Sequence, residues 1–294
     1  MAINYDKLMN WPFDAVTQTY SIRDSMLYAL GIGLGQDPLN LEQLRFVYED
    51  GLKVLPTLPV VLGSPGFWIK HPDTGVDWKA VLHGEQGLKI HKPMPTHGTV
   101  IGKLVIEEII DKGPGKGALI YSRRDLYEQS SGALLAEINS TTFCRADGGF
   151  GGPSSSKQVR ALSEIPATAP DLVEDFKTSP QAALVYRLSG DDNPLHADPA
   201  VAASVGFKQP ILHGLCSYGV AGFGLLKALC QYDSARLRRM DLRFSSPVYP
   251  GETIRTEIWH QGKHGNGLMR AAFRSRVLER DIIVLNNGLV EYTV

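Results

Sequence analysis

The chain has 294 residues, 43% of them apolar and 21% charged, with a net charge of −1. That is enough apolar material for a packed core in one large domain or two ordinary ones, and the near-neutral balance lacks the basic surplus of a nucleic-acid binder. Cys144, Cys216 and Cys230 form no C-x-x-C pair, so buried free thiols in a reducing compartment are expected.

The opening "MAINYDKLMNWPFDAV" holds no apolar run fit for a signal peptide. "SIRDSMLYALGIG" predicts a helix, with Ser21 as N-cap and Asp24 three residues on. "GIGLG" (Gly31 to Gly35) ends that helical pattern instead of opening one, so it is no dinucleotide fingerprint. Two strand-like runs follow, "GALIYSRRDLYE" and "ALLAEINSTTFCR", joined by a turn at "QSSG". Next comes the glycine- and serine-rich "RADGGFGGPSSSKQ" (Arg145 to Gln158), extended by the prolines of "EIPATAPD". This predicts a linker and two units, residues 1–150 and 151–294.

In the second unit, "HADPAVAASVGF" predicts a helix capped by Asp198 with Pro199 at its first position. Ile211 to Leu226, "ILHGLCSYGVAGFGLL", is uncharged but spans only 16 residues. A bilayer needs roughly 20, so a buried core helix is expected. "GLMRAAFRSRVLE" and "IIVLNNGLVEYTV" predict a second strand pair. "LKIHKPMPTHGTV" (Leu88 to Val100) also echoes "LRFSSPVYPGETI" (Leu242 to Ile254). An echo of this length points to duplication of one domain. Each half reads as a helix followed by an antiparallel meander, an α+β arrangement.

Chemistry concentrates in "YRLSGDDNPLHADP". Asp191 and His196 flank a turn marked by Gly190 and Asn193-Pro194. The pair reads either as a turn cap beside a loop histidine or as an acid and a base sharing one site. Gly214, at the start of the long helix, reads either as a packing glycine or as an amide open to a carbonyl oxygen. No H-E-x-x-H, C-x-x-C or Walker A pattern is present, so neither metal nor nucleotide cofactor is expected.

"YRLSGDDNPLHADPAVAASVGFKQPILHGLC" resembles the hydratase-2 motif of the MaoC-like family, the (R)-specific 2-enoyl-CoA hydratases. "VLPTLPVVLG", "VLHGEQGLKIHKPMP", "DKGPGKGALI" and "RFSSPVYPGET" resemble other segments of those enzymes in the same order. The resemblance implies a double hot-dog fold, two curled antiparallel sheets each wrapped around a helix. It implies hydration of trans-2-enoyl-CoA, with Asp191 and His196 as the catalytic pair, Asn193 helping to hold the water and Gly214 receiving the thioester oxygen. His83, Gly84, Lys112 and Phe244 match acyl-CoA-binding positions, and Asp192, Pro194 and Leu195 lie between the catalytic pair. Arg243 is added as a cation for the CoA phosphates. Asp192 departs from the pattern, since animal enzymes often carry tryptophan there. The first unit, lacking the motif, is expected to make room for the acyl chain. A cytoplasmic homodimer that uses no cofactor, nucleic acid or membrane is expected. An acyl-CoA thioesterase or a non-catalytic acyl-CoA binder on the same fold is the alternative.

Overall fold

The structure, a computed structural model, describes residues 3–156 and 162–294. The first half holds α1 (Tyr5–Met9), β1 (Val16–Tyr20), α2 (Ile22–Gly31) and α3 (Leu41–Leu44), then β2 (Val81–Ile90), β3 (Gly98–Asp111), β4 (Ala118–Glu128) and β5 (Leu134–Cys144). The second half holds β6 (Leu172–Lys177), α4 (Ala182–Tyr186), α5 (Pro199–Ser204) and α6 (Gly214–Cys230), then β7 (Leu237–Phe244), β8 (Thr253–Lys263), β9 (Met269–Val277) and β10 (Ile282–Tyr292). The strands join in one antiparallel sheet of order β1-β3-β4-β5-β2-β7-β10-β9-β8-β6. Read outward from the centre, β2-β5-β4-β3-β1 mirrors β7-β10-β9-β8-β6, so the sequence echo becomes a repeated topology. The halves meet where β2 pairs with β7, and Leu88 opposite Met240 is fully buried at that seam.

Local chemistry explains the helix starts. The Ser21 side chain accepts the Asp24 N–H, while the Asp24 carboxylate accepts the Ser21 N–H at 2.7 Å, closing a capping box over α2. Asp198 caps α5, accepting the Ala200 N–H at 2.8 Å ahead of Pro199. α6 is buried along almost its whole length, as its all-round apolar sequence requires. Glycine inside a helix costs about 1 kcal/mol relative to alanine, and α6 uses it where other segments lie close. A Cβ on Gly219 would stand 2.7 Å from Ile32, and one on Gly222 would stand 2.6 Å from Thr57. The first half is thereby laid directly on the helix of the second, and one core cluster runs through both.

The glycine-rich stretch after β5 differs from the expected free linker. Asp111, at the end of β3, accepts backbone N–H groups from Gly113, Gly149 and Gly151 at 2.7–2.8 Å. Those bonds hold its carboxyl below the usual range. Phe150 packs against a smaller apolar cluster around Ile109 and Ile120. A carboxylate collecting loop amides orders a segment that composition alone marks as loose. Residues 157 and 158 of that expected linker lie outside the described residues. All three cysteines are free and buried. Among the described residues no helix is long and apolar enough to cross a membrane.

Candidate active site

The candidate site is built from two consecutive turns. α4 ends through a short 3-10 turn (Arg187–Ser189) at Gly190, whose φ of 111° is left-handed and suits glycine. The chain then enters Asp191–Asn193 and a second 3-10 turn, Pro194–His196. Asp191 does cap the turn, since its Oδ1 accepts the Asn193 N–H at 3.2 Å. Its carboxylate nevertheless faces the imidazoles of His196 and His213, and the three groups bring donor atoms within 4.8 Å of one another. The carboxylate that caps the turn therefore also lies beside both imidazoles.

Hydrogen bonds fix the imidazole tautomers. His196 Nδ1 lies 2.9 Å from the Ile211 carbonyl, which can only accept, so the proton sits on Nδ1 and Nε2 keeps its lone pair. Burial, outweighing the Ile211 bond and Asp191, lowers the His196 pKa, so the ring is neutral at physiological pH. His213 donates from Nε2 to the Asp191 carbonyl at 3.3 Å and stacks on His196 with ring centres 3.8 Å apart at 30°. That spacing could also hold a metal ion between Asp191, His196 and His213. Three titratable side chains thus meet in one place.

His213 is almost fully buried, and burial followed by the His196 charge lowers its pKa from 6.5 to about 4. The fold therefore holds it neutral. As pH falls, the unfolded chain takes up that proton first. The stability tied to His213 is complete above about 6.5 and is lost on descending toward 4. Wild-type protein should lose of order a few kcal/mol across that window. Urea titrations at several pH values test this. A wild-type midpoint that falls no more steeply than that of His213→Gln refutes it.

His213 also opens α6. It provides no side-chain cap, so the first-turn amides of Gly214 and Leu215 are left without intrahelical acceptors at the positive end of a 17-residue helix. Gly214 lies against Phe244, and an added Cβ would stand 3.2 Å from that ring. Asp191, Asn193, His196 and Gly214 all line one cavity of about 510 Å³. Its walls continue through Val60, Val61 and Phe67 of the first half and through Leu212, Val248 and Leu285 of the second.

Residues 18–146 match the MFE-2 hydratase 2 N-terminal domain model, and residues 162–280 match the MaoC-like domain model. A curated relative from Arabidopsis thaliana, "Enoyl-CoA hydratase 2, peroxisomal", is 38% identical over 96% of this chain and 93% of its own length. The chain belongs to the MaoC-like hydratase 2 family. Among solved structures, a MaoC-like dehydratase from Phytophthora capsici superposes with a TM-score of 0.85 at 38% identity, covering 99% of both chains. A Mycobacterium tuberculosis protein described as a double hotdog fold, 14% identical, superposes at 0.61 over 99% of this chain and 98% of that one, which shows the fold alone.

Within this hydratase 2 chain, His83, Asp192, Leu195 and Phe244 join the proposed pair around the cavity, and His83 packs on Phe244 with ring centres 4.6 Å apart. Gly84, Pro194, Lys112 and Arg243 are not among the lining residues. Arg243, expected at the entrance as a cation for the CoA phosphates, lies outside the cavity wall. It adjoins Phe244 on β7, so the two side chains point to opposite faces, and Arg243 pairs with Glu85 at 2.8 Å. Lys112 stands over the Phe143 ring at 5.0 Å. Sequence reasoning missed His213 as the residue that touches both Asp191 and His196, and it missed Tyr186 and Phe67 in the wall. The dipeptide His213-Gly214 was the available signal for the first. Nothing local marks the others.

Proposed function

We propose that the chain is an (R)-specific enoyl-CoA hydratase, a hydro-lyase adding water reversibly to trans-2-enoyl-CoA to give (3R)-3-hydroxyacyl-CoA. The observation that carries this reading is the meeting of Asp191, Asn193, His196 and the Gly214 amide on one cavity. Conjugation joins the thioester carbonyl to C3. The Gly214 N–H draws charge toward the carbonyl oxygen, and this donor gains strength as enolate character develops. Asn193 Oδ1 accepts the Leu195 N–H at 3.1 Å, which directs the amide nitrogen to a water. His196 Nε2 takes a proton from that water as its oxygen bonds to C3. That proton passes through the Asp191–His196 pair to C2, so one water is added across the bond and both side chains end as they began. The chemistry needs no group beyond these side chains and water. Val60 and Val61 make the first half, residues 1–150, the wall for the acyl chain, and the second half, residues 151–294, carries the chemistry.

The test is incubation of purified protein with short, long and branched trans-2-enoyl-CoA. The expected result is loss of the conjugated-thioester absorbance with a 3R product on chiral analysis. Free thiol without hydration identifies a thioesterase, and binding with unchanged absorbance identifies a non-catalytic carrier. Cytoplasmic residence and a homodimer belong to the same proposal. The Arabidopsis relative carries a peroxisomal name, so cell fractionation and sedimentation test location and assembly separately.

A further inference from the structure

We propose that an exposed aromatic and lysine cluster at the cavity mouth seats the nucleotide end of CoA, with Trp78 as the stacking face for adenine and Lys70 and Lys79 facing the phosphates. This rests on the acyl-CoA reading above and adds the residues that hold the far end of that substrate.

The cluster lies in the segment between α3 and β2. Phe67 is both a lining residue of the cavity and 40% exposed, so it marks the opening. Trp78, 38% exposed, meets Phe67 edge-on with ring centres 6.2 Å apart. Lys70 Nζ stands 4.9 Å from the Phe67 ring centre and 5.1 Å from that of Trp78, and Lys79 Nζ stands 5.7 Å from Trp78. Among the described residues neither ammonium has a carboxylate partner. Of the nearby acids, Asp73 pairs with Lys7 at 2.7 Å, while Asp77 accepts the Lys79 backbone N–H at 3.2 Å and forms no ion pair with either lysine among the described residues.

A part-exposed ring flanked by two ammonium groups offers a stacking face beside positive charge. Aromatic faces hold nucleobases by stacking, and lysines hold phosphates as point charges. The 3′-phosphoadenosine pyrophosphate of CoA has both features. The same rim continues through further cations. Arg145 donates to the Ala80 carbonyl, two residues from Trp78. Lys112 covers Phe143, which pairs with the cavity residue Leu82 across β5 and β2. Lys112, absent from the cavity itself, therefore stands where the nucleotide would lie.

The experiment compares a trans-2-enoyl-CoA with the same enoyl group on pantetheine, which lacks the nucleotide. For Trp78→Ala and for the double variant Lys70→Ala/Lys79→Ala, the ratio of kcat/KM on the CoA substrate to that on the pantetheine substrate should fall at least about tenfold, through KM. An unchanged ratio in active protein overturns the inference, as does an equal loss on both substrates. A wild-type protein inactive on both overturns the hydratase reading instead. Adenosine 3′,5′-bisphosphate, titrated against tryptophan fluorescence, tests the cluster without turnover. Quenching in wild type that weakens about tenfold in the double variant is expected, and no quenching in wild type overturns it.

Discussion

Asp191→Asn should lower the hydration rate by about 10²–10⁴-fold while the protein stays folded. Asparagine keeps the Oδ1 that accepts the Asn193 N–H, so the turn survives and only the ionisable carboxyl is lost. His196→Asn is the matching change on the other side. Its amide can still donate to the Ile211 carbonyl, as His196 Nδ1 does, but it has no basic nitrogen at Nε2. A loss of the same order is expected. Because the two groups serve one proton transfer, the double variant should be little worse than the weaker single one. Stopped-flow or steady-state absorbance, with circular dichroism as the folding control, reads all three. Activity near wild type in either folded single variant would sink the assignment.

Gly102→Ala should cost about 1–3 kcal/mol and shift acyl-chain preference. The methyl group would fall on the carbonyl oxygen of Gly63, a backbone atom that no side-chain rotation can move. Gly63 is itself left-handed, at φ 61°, and its N–H is held by Gln18 at 2.7 Å. Arg124, buried on β4, donates to the Val60 carbonyl at 2.7 Å. Three strands thus pin the segment that supplies Val60 and Val61 to the cavity. Pushing it away from β3 moves the wall without touching Asp191 or His196. Urea midpoints and kcat/KM on long against short enoyl-CoA measure the two effects. Unchanged stability together with unchanged chain-length preference would refute the argument.

Most of the secondary structure follows from local rules. Ser21 and Asp24 announce α2, Asp198 and Pro199 announce α5, and period-two runs mark β4, β5, β9 and β10. The Asp191–His196 pair is visible because both members lie in one turn. What escapes depends on chain segments far apart or on which face a strand residue takes. Arg243 and Phe244 are neighbours in sequence and opposites in space. The "DGGFGG" run looks like a tether until Asp111, 38 residues before Gly149, collects its amides. Phe67 and Trp78 sit in a segment with little periodic structure, where only tertiary packing gives them a role.

The two halves differ most at their helix entrances. α2 begins under the carboxylate of Asp24, which places negative charge over its first turn. α6 begins with a histidine whose ring is turned toward Asp191. An anionic oxygen is repelled at the first entrance and welcomed at the second. The repeated topology therefore carries two unlike helix entrances, and the one that opens on the Asp191 cavity is Gly214 of α6.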